Sequence, residues 1–262
     1  MGTVSKALSL LSYFSRQRPE IGLSDLARMS GMNKATVYRH MSEMAAQGIV
    51  EQTQTGKSYR LGAEVLRLAA LREAAVPLLE VAREQLRHLS DATGETAHFS
   101  IIQGTKLNAL AHHYSTRHGT RVTMEDAEVL SFHGTASGLS ILAYADTAFR
   151  DQVLAEPLTA HTPHTETDPA RIRDRLNEIT QTGFAQSVGG FEADVHSIAT
   201  PIFGADARPI GALAIAAPVA RMTPDMISLA QTELALAAQT LTRRIGGFAP
   251  ADASPTPEET TA

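Results

Sequence analysis

The chain contains no cysteine and no tryptophan among its 262 residues. The missing thiol excludes disulfides, thiolate catalysis and cysteine-ligated metal sites. The sequence also lacks an uninterrupted apolar run of about 18 residues, the length that a transmembrane helix needs. Lys6 and a series of serines interrupt the N-terminal stretch, so it does not have the pattern of a signal peptide. We therefore expect a cytoplasmic protein with no membrane partner and no cofactor.

Positive charge is scarce overall but concentrated near the N-terminus. The formal net charge is −5, yet residues 1–75 carry ten Lys and Arg against six Asp and Glu, a net charge of +4. The remainder carries 13 against 22, a net charge of −9. Because DNA phosphates respond to a local basic patch, the first segment suits nucleic-acid binding. A length of 262 residues favours two domains with separate tasks.

Apolar residues at helical spacing predict three helices in the first 48 residues. The first covers 3–15, the second begins at Ser24 as its N-cap and stops at Gly31, and the third begins at Asn33 and ends near Gly48. Two helices joined by a short turn with a central glycine are typical of a helix-turn-helix. The β-prone runs 49–53 and 57–61, around a turn at Gly56, predict a wing.

The polar side chains that remain once the apolar stripe of the third helix is buried are candidates for DNA contacts. Arg39 is the best candidate for a guanine or phosphate contact, and the wing cations for the minor groove and the backbone. Alternatively, Tyr38 and Arg39 only cover an exposed helix face, and Ser24 is only a cap. The predicted DNA-binding residues are Ser24, Asn33, Lys34, Ala35, Thr36, Tyr38, Arg39, His40, Lys57 and Arg60.

The fold class predicted for the whole chain is α+β. We expect a winged helix-turn-helix over 1–62, a linker helix over 63–76, a mixed α/β domain over 77–248 and a disordered tail over 249–262. Strands are predicted over 96–102, 107–113, 198–203 and 210–216. Helices are predicted from 77 to about 89 and over 135–145, 146–155, 168–182 and 224–246.

The chain resembles the IclR family of bacterial transcription regulators from Val4 to Gly246. The matching N-terminal stretches are Ser24–Ala27, Lys34–Arg39 and Tyr59–Gly62. The matching C-terminal stretches are His133–Gly138, Leu158 with Thr162, Thr165 and Asp168–Pro169, then Ser197–Pro201, Pro218 and Arg221–Thr223. Each match is short, and their order and spacing together make the resemblance specific.

The resemblance implies a GAF-like effector-binding domain and a homodimer, or a homotetramer, that binds double-stranded operator DNA. It places the effector between the segment 135–138, the segment 189–197 and the strand 212–217. The small residues that open a helix at Thr135 also suit an anion, because free backbone N–H groups and the helix dipole lie there. The implied effector is an organic acid, an aromatic or an amine-bearing metabolite.

The chain departs from family members that bind very small acids. The resemblance implies that those members have an acidic residue, a cysteine and two serines where this chain has Ser187, Ser197, Ala214 and Ala216. Leu139 and Gly190 also replace a lysine and a frequently acidic residue. A larger aromatic or amide-bearing ligand and a partly cationic ligand both remain open.

The candidate effector-binding residues come from three segments that the resemblance brings together. His133 and His196 have the alternative role of hydrogen-bonded structural histidines. The full set is Phe132, His133, Thr135, Ala136, Ser137, Gly138, Ser187, Gly189, Gly190, Glu192, Asp194, His196, Ser197, Ala214 and Ala216.

Two other classes of function are disfavoured by the residue pattern. His112 and His113 are adjacent on a predicted strand and point to opposite faces, so they cannot chelate one ion. No nucleophile elbow or phosphate-binding glycine loop supports an enzyme. We expect no metal, no catalytic residue and a ligand-responsive repressor of a catabolic operon. The alternatives are an IclR-like regulator whose C-terminal domain only mediates oligomerisation, and an enzyme with an N-terminal DNA-binding module.

Overall fold

The structure is a computed structural model that describes residues 2–15, 18–53, 58–75, 77–124 and 128–250. The chain divides into two compact units, Met1–Pro77 and Leu78–Ala262. The predicted wing turn at Gly56 with Lys57, and the predicted tail beyond residue 250, lie outside the described residues. No helix in the described ranges has the length and apolarity required to cross a membrane.

The first unit contains the predicted helices and wing strands, with one further short strand. Its elements are α1 (Thr3–Ser9) with a 3-10 turn (Leu10–Tyr13), β1 (Ile21–Gly22), α2 (Leu23–Ser30), α3 (Lys34–Ala46), β2 (Val50–Gln52), β3 (Ser58–Leu61) and α4 (Ala63–Ala75). The sheet order is β1-β3-β2, and both pairings are antiparallel. The predicted first helix thus loses its α-helical hydrogen bonding after Ser9.

Local chemistry explains the turn between α2 and α3. Gly31 adopts a left-handed conformation with φ +66°, which ends α2 without a Cβ penalty. The side chain of Asn33 then accepts a hydrogen bond of 2.8 Å from the backbone N–H of Ala35, as predicted for an N-cap. Val37 and Met41 on one face of α3 pack with Leu26 of α2 in a core that also includes the wing.

The second unit is a six-stranded antiparallel sheet with helices on both faces. Its elements are α5 (Leu78–Thr93), β4 (Thr96–Gln103), β5 (Lys106–His113), β6 (Val129–Leu130), α6 (Ala136–Tyr144), α7 (Thr147–Ala155), α8 (Pro169–Thr182), β7 (Ala185–Val188), β8 (Val195–Phe203), β9 (Pro209–Pro218) and α9 (Pro224–Arg244). The strand order is β6-β5-β4-β9-β8-β7. The four long strands and the helices are confirmed, whereas β6 and β7 were not predicted.

Two hydrophobic cores lie on opposite faces of this sheet. One core packs α5 and α9 against residues such as Phe99 and Ile198. The other packs α6, α7 and α8 against residues such as Ala199 and Ala214. Because side chains alternate along a strand, each of β4, β8 and β9 contributes to both cores. The face with α6 also carries the predicted small-residue segment.

Candidate nucleic-acid interface and ligand cavity

The exposed face of α3 presents most of the predicted DNA-contacting side chains. Lys34, Ala35, Tyr38 and Arg39 are exposed and Thr36 is half-buried. Within the part of the chain that the structure describes, the Arg39 guanidinium has no hydrogen bond and no ion pair. A cation held on a helix face without a partner carboxylate is available to phosphates and base edges.

The expectation that His40 lies on this exposed face is wrong. Its side chain is only 1% exposed. His40 follows Val37 by three residues and precedes Met44 by four, and these spacings place all three on the buried side of the helix. Its Nδ1 atom has no partner among the described residues. Because its side chain is buried, the histidine packs inside the unit and does not face DNA.

Two other predicted DNA contacts change in role. The second helix begins at Leu23 with Gly22 as its N-cap, so Ser24 is an exposed first-turn residue and is not the predicted cap. Arg60 on the wing forms ion pairs with Glu51 at 2.6 Å and with Glu20 at 3.7 Å. These carboxylates compete with DNA for the Arg60 charge, which makes Arg39 the stronger candidate.

A cavity of about 50 Å³ lies on the α6 face of the large sheet. It combines small polar residues of α6 and β8 with apolar and acidic residues from other parts of the unit. Its lining is His98, Val122, Met124, Glu128, Leu130, Thr135, Ser137, Ser187, Phe191, Glu192, Val195, Ser197 and Ala216. Six predicted effector residues therefore meet at one cavity: Thr135, Ser137, Ser187, Glu192, Ser197 and Ala216.

His98 of β4 is the most buried titratable group of the lining, at 5% exposure. Its Nε2 atom lies 3.2 Å from the Ser137 hydroxyl oxygen. Its Nδ1 atom is buried without a partner among the described residues. Burial lowers the pKa of His98 to about 4, and the neighbouring His112 adds to this shift. The imidazole is therefore neutral at physiological pH and offers an unused polar atom.

Acidic side chains provide the charge at this cavity. Glu128 and Glu192 both contribute to the lining, and the described lining residues include neither Lys nor Arg. Glu192 lies at the rim with part of its surface in solvent. Partial burial raises its pKa, and no neighbouring charge opposes that shift. The cavity is consequently acidic.

The segment from Tyr114 to Met124 forms an apolar wall of the cavity through Val122 and Met124. The Thr96 hydroxyl donates a hydrogen bond of 2.7 Å to the Val122 carbonyl. The Tyr114 hydroxyl donates to the Met124 carbonyl at 3.1 Å and accepts from the Met124 N–H at 2.9 Å. The Thr96 bond holds the wall against the sheet, and the two Tyr114 bonds join the ends of the segment to each other.

A bidentate ion pair holds the other end of the same segment. Arg221 donates from Nε and a terminal nitrogen to the two carboxylate oxygens of Glu95, at 2.6 and 2.7 Å. The Glu95 side chain is 1% exposed. Arg221 also donates to the Thr120 carbonyl at 3.0 Å, so one guanidinium connects the start of β4, the turn after β9 and the wall.

Several predicted effector residues serve packing around the cavity and lie outside its lining. A Cβ on Gly138 would lie 2.3 Å from the Phe132 backbone, so a glycine is needed where α6 meets the preceding segment. Ala136 and Ala214 are core residues. The hydroxyls of Thr162 and Thr165 donate to the carbonyls of Gly189 and Gly190. These bonds hold the loop that carries both threonines against the two glycines.

The two candidate histidines are hydrogen-bonded away from the cavity. His133 contacts Ser131 and the Thr159 carbonyl, both at 3.0 Å, and lies beside a separate groove with Phe132. The expectation that His196 faces the cavity is wrong. Because β8 begins at Val195, alternation places Val195 and Ser197 on the cavity side and His196 on the opposite face. Asp194 is exposed outside the lining.

Sequence reasoning missed His98, Glu128 and the wall. A signal existed for His98, because it lies between the apolar residues Ala97 and Phe99 in a predicted strand, and a polar residue that is buried there has to find partners. The wall comes from a loop whose position depends on tertiary contacts. Among the described residues, no group of three or more His, Asp or Glu side chains is arranged to hold a metal ion.

Comparison with known proteins identifies the family of each unit. The family described as the IclR helix-turn-helix domain matches residues 3–54. The family described as the bacterial transcriptional regulator IclR C-terminal domain matches residues 72–243.

Related proteins agree over nearly the whole length. A crystal structure of an IclR-type regulator from Silicibacter sp. TM1040 is 61% identical, with a TM-score of 0.92 over 96% of this chain and 99% of that chain. The HTH-type transcriptional regulator XynR of Escherichia coli is 25% identical over 93% of this chain and 97% of its own length.

A third relative was solved with a small molecule. It is an IclR homologue from Microbacterium hydrocarbonoxydans complexed with 4-hydroxybenzoate, 25% identical with a TM-score of 0.77 over 93% of this chain and 100% of that chain. The curated relatives are named as transcriptional regulators and not as enzymes. With both of its units matched in chain order, this protein belongs to the IclR family of DNA-binding bacterial transcriptional regulators.

Proposed function

We propose that the protein is a ligand-responsive repressor of a catabolic operon in the cytoplasm, which binds operator DNA through α3 and a metabolite through the cavity on the α6 face. The observation that carries the DNA-binding part is the Arg39 guanidinium on the exposed face of α3, which has no partner among the residues that the structure describes. Relatives named for the glycerol and pca operons support the catabolic role.

Replacing Arg39 by Ala removes the unpaired cation from an exposed position without disturbing the core formed by Val37 and Met41. Loss of one specific contact to DNA weakens binding by roughly tenfold or more. A mobility-shift titration with the DNA upstream of the protein's own gene measures this change. Ligand stabilisation, followed by thermal shift, is expected to stay unchanged.

A matched control removes an arginine from the same unit. Arg67 on α4 is engaged with Glu64, which its Nε atom contacts at 2.8 and 2.9 Å. The variant Arg67→Ala is expected to bind the same DNA nearly as well as the parent chain. Equal weakening by both substitutions would contradict a specific role for Arg39.

Dimerisation is part of this proposal, because one helix-turn-helix makes few contacts with DNA. Leu66, Leu68 and Leu71 of α4 are exposed by 74%, 46% and 56%. Leu68 and Leu71 are three residues apart and share one face of the helix, and such an exposed apolar pair favours association with another apolar surface. A homodimer or homotetramer would bring two reading helices to two half-sites.

The second candidate function is a regulator whose second unit only assembles the protein. The exposed leucines of α4 are compatible with assembly, but His98 lines the cavity and its buried Nδ1 has no partner among the described residues, which favours ligand binding. A ligand that binds only the folded chain raises its unfolding midpoint. A midpoint that no organic acid, aromatic or amine raises would favour the assembly role.

A further inference from the structure

The charge of the cavity distinguishes among effector classes. Its described lining has the carboxylates of Glu128 and Glu192 and neither Lys nor Arg. His98 cannot supply a cation, because burial keeps its imidazole neutral. An anionic ligand would therefore lose its hydration in a cavity whose described lining provides no cationic side chain to pair with it.

The polar atoms of the cavity suit a hydrogen-bond donor. In the tautomer whose Nε2 donates to Ser137, the buried Nδ1 of His98 is an acceptor with no donor among the described residues. His98 is 5% exposed, and a buried acceptor without a donor raises the free energy of the folded protein. A ligand that donates a hydrogen bond to this atom therefore gains binding free energy. Glu192 at the rim is likewise an acceptor, and partial burial raises the pKa of its carboxyl group.

The rest of the cavity lining is apolar, and the cavity is small. Val122, Met124, Leu130 and Phe191 provide hydrocarbon surface opposite the polar atoms. The cavity volume of about 50 Å³ is well below the roughly 150 Å³ of a protein cavity that admits benzene. The space therefore matches a substituent of a few carbon atoms.

We propose that this cavity binds a small organic cation, a protonated amine with a short apolar substituent, with the Glu192 carboxylate as its counter-ion and His98 as an inner hydrogen-bond acceptor. This assignment rests on the proposed sensing function and names its ligand class. It differs in charge from the aromatic acid bound by the Microbacterium relative.

Three probes with the same carbon skeleton test the charge. The full-length protein is titrated with isobutylamine, isobutyrate or isobutyramide at neutral pH and constant ionic strength, and its unfolding midpoint is recorded. Isobutylamine is expected to raise the midpoint by several degrees in a saturable manner. Isobutyrate is expected to leave it unchanged, and the neutral amide to give a smaller rise through its N–H donors.

Two variants assign the effect to the cavity. Glu192→Gln keeps the shape of the side chain and removes its charge, so the amine is expected to bind roughly tenfold or more weakly. Asp194→Asn removes the same charge two residues away, from an exposed side chain outside the lining, and is expected to leave amine binding unchanged.

The outcomes separate this assignment from the regulatory function. Stabilisation by isobutyrate equal to or above that by the amine would overturn the cationic ligand while leaving ligand sensing intact. Equal loss in both variants would overturn the role of Glu192. Absence of any shift from all three probes, with salt-sensitive binding of the upstream DNA retained, would overturn the ligand class and leave the DNA-binding regulator standing.

Discussion

His98 holds an uncharged imidazole at an interior position of β4, between an apolar sheet and a cavity open at its rim. Its two nitrogen atoms have different surroundings, since Nε2 faces Ser137 and Nδ1 has no partner among the described residues. The same burial that makes the ring a good acceptor for a ligand makes protonation unfavourable. In the proposed complex, ligand binding and acid sensitivity therefore depend on the same residue.

Stability of the protein is expected to fall as the pH is lowered from about 6.5 to about 4. The unfolded chain binds a proton at the ordinary histidine pKa, whereas folded His98 does so only at about 4, so acid favours unfolding in this window. The loss attributable to His98 is about 3 kcal/mol. Urea unfolding at a series of pH values measures it.

The variant His98→Gln serves as the comparison for this pH series. Glutamine retains hydrogen-bonding groups but does not titrate, so the free energy of unfolding should depend less steeply on pH. Burial also lowers the pKa of His133 and His196. Their protonation destabilises the folded chain in acid in the same direction, so part of the pH dependence remains in the variant. A slope identical to that of the parent chain would show that His98 is not buried as described.

At the scale of elements, the wall from Tyr114 to Met124 depends on the ion pair between Glu95 and Arg221. The ion pair connects the start of β4 with the turn after β9, and Arg221 also donates a hydrogen bond to the Thr120 carbonyl of the wall. A nearly inaccessible carboxylate is stable only while its partner is present. The position of Val122 and Met124 therefore depends on a residue beyond β9.

Replacing Arg221 by Met is expected to lower the free energy of unfolding by about 3 kcal/mol, since it removes the bidentate partner of the buried Glu95 carboxylate and leaves only the His118 imidazole, 3.9 Å away, beside it. Equilibrium urea denaturation measures this loss. Arg208→Met is the control, because Arg208 pairs with Asp146 and Asp206 at the surface, and exposed pairs contribute less than about 1 kcal/mol. Losses of the same size would contradict the buried character of the first pair.

Periodicity predicted the long elements because each carries enough residues to show its own pattern. The eight residues of β4 and the capped start of α8 at Asp168 and Pro169 are examples. The strands β6 and β7 have two and four residues, and their hydrogen-bond partners are supplied by β5 and β8. Short edge strands of this kind depend on tertiary pairing and leave little local signal.

The same distinction applies to the candidate site. The segment Thr135–Gly138 was predicted from the family resemblance, and the small residues that open α6 are also a local signal. His98 was not, because its role depends on which face of β4 it occupies. For His196, the predicted strand began three residues late, and the true start at Val195 assigns it to the other face. A single residue of register reverses such an assignment.

For the whole molecule, the distribution of charge matters more than its total. Residues 1–75 carry a net charge of +4, and the rest of the chain carries −9. DNA association therefore depends on a basic minority of the chain in a protein that is acidic overall. Counter-ions released from the phosphates make such binding sensitive to salt.

Raising the salt concentration from about 50 to 200 mM is expected to weaken operator binding by at least about 100-fold. Fluorescence anisotropy of labelled upstream DNA, measured at four or more salt concentrations, gives the slope. Arg39→Ala is expected to reduce the slope if this residue contacts a phosphate, and to leave it unchanged if it contacts a base. DNA binding that is independent of salt concentration would contradict a basic DNA-binding surface on the first unit.

The two cores on opposite faces of the large sheet constrain how ligand occupancy could be communicated. The cavity lies on the α6 face, while α5, the first helix after the DNA-binding unit, packs on the other face beside Phe99. His98 and Phe99 are consecutive residues of β4 that point in opposite directions. Two routes therefore join the cavity to α5 within this unit. One passes through the thickness of the sheet at β4, and the other runs along the wall, where Arg117 donates a hydrogen bond of 2.7 Å to the Asp91 carbonyl of α5.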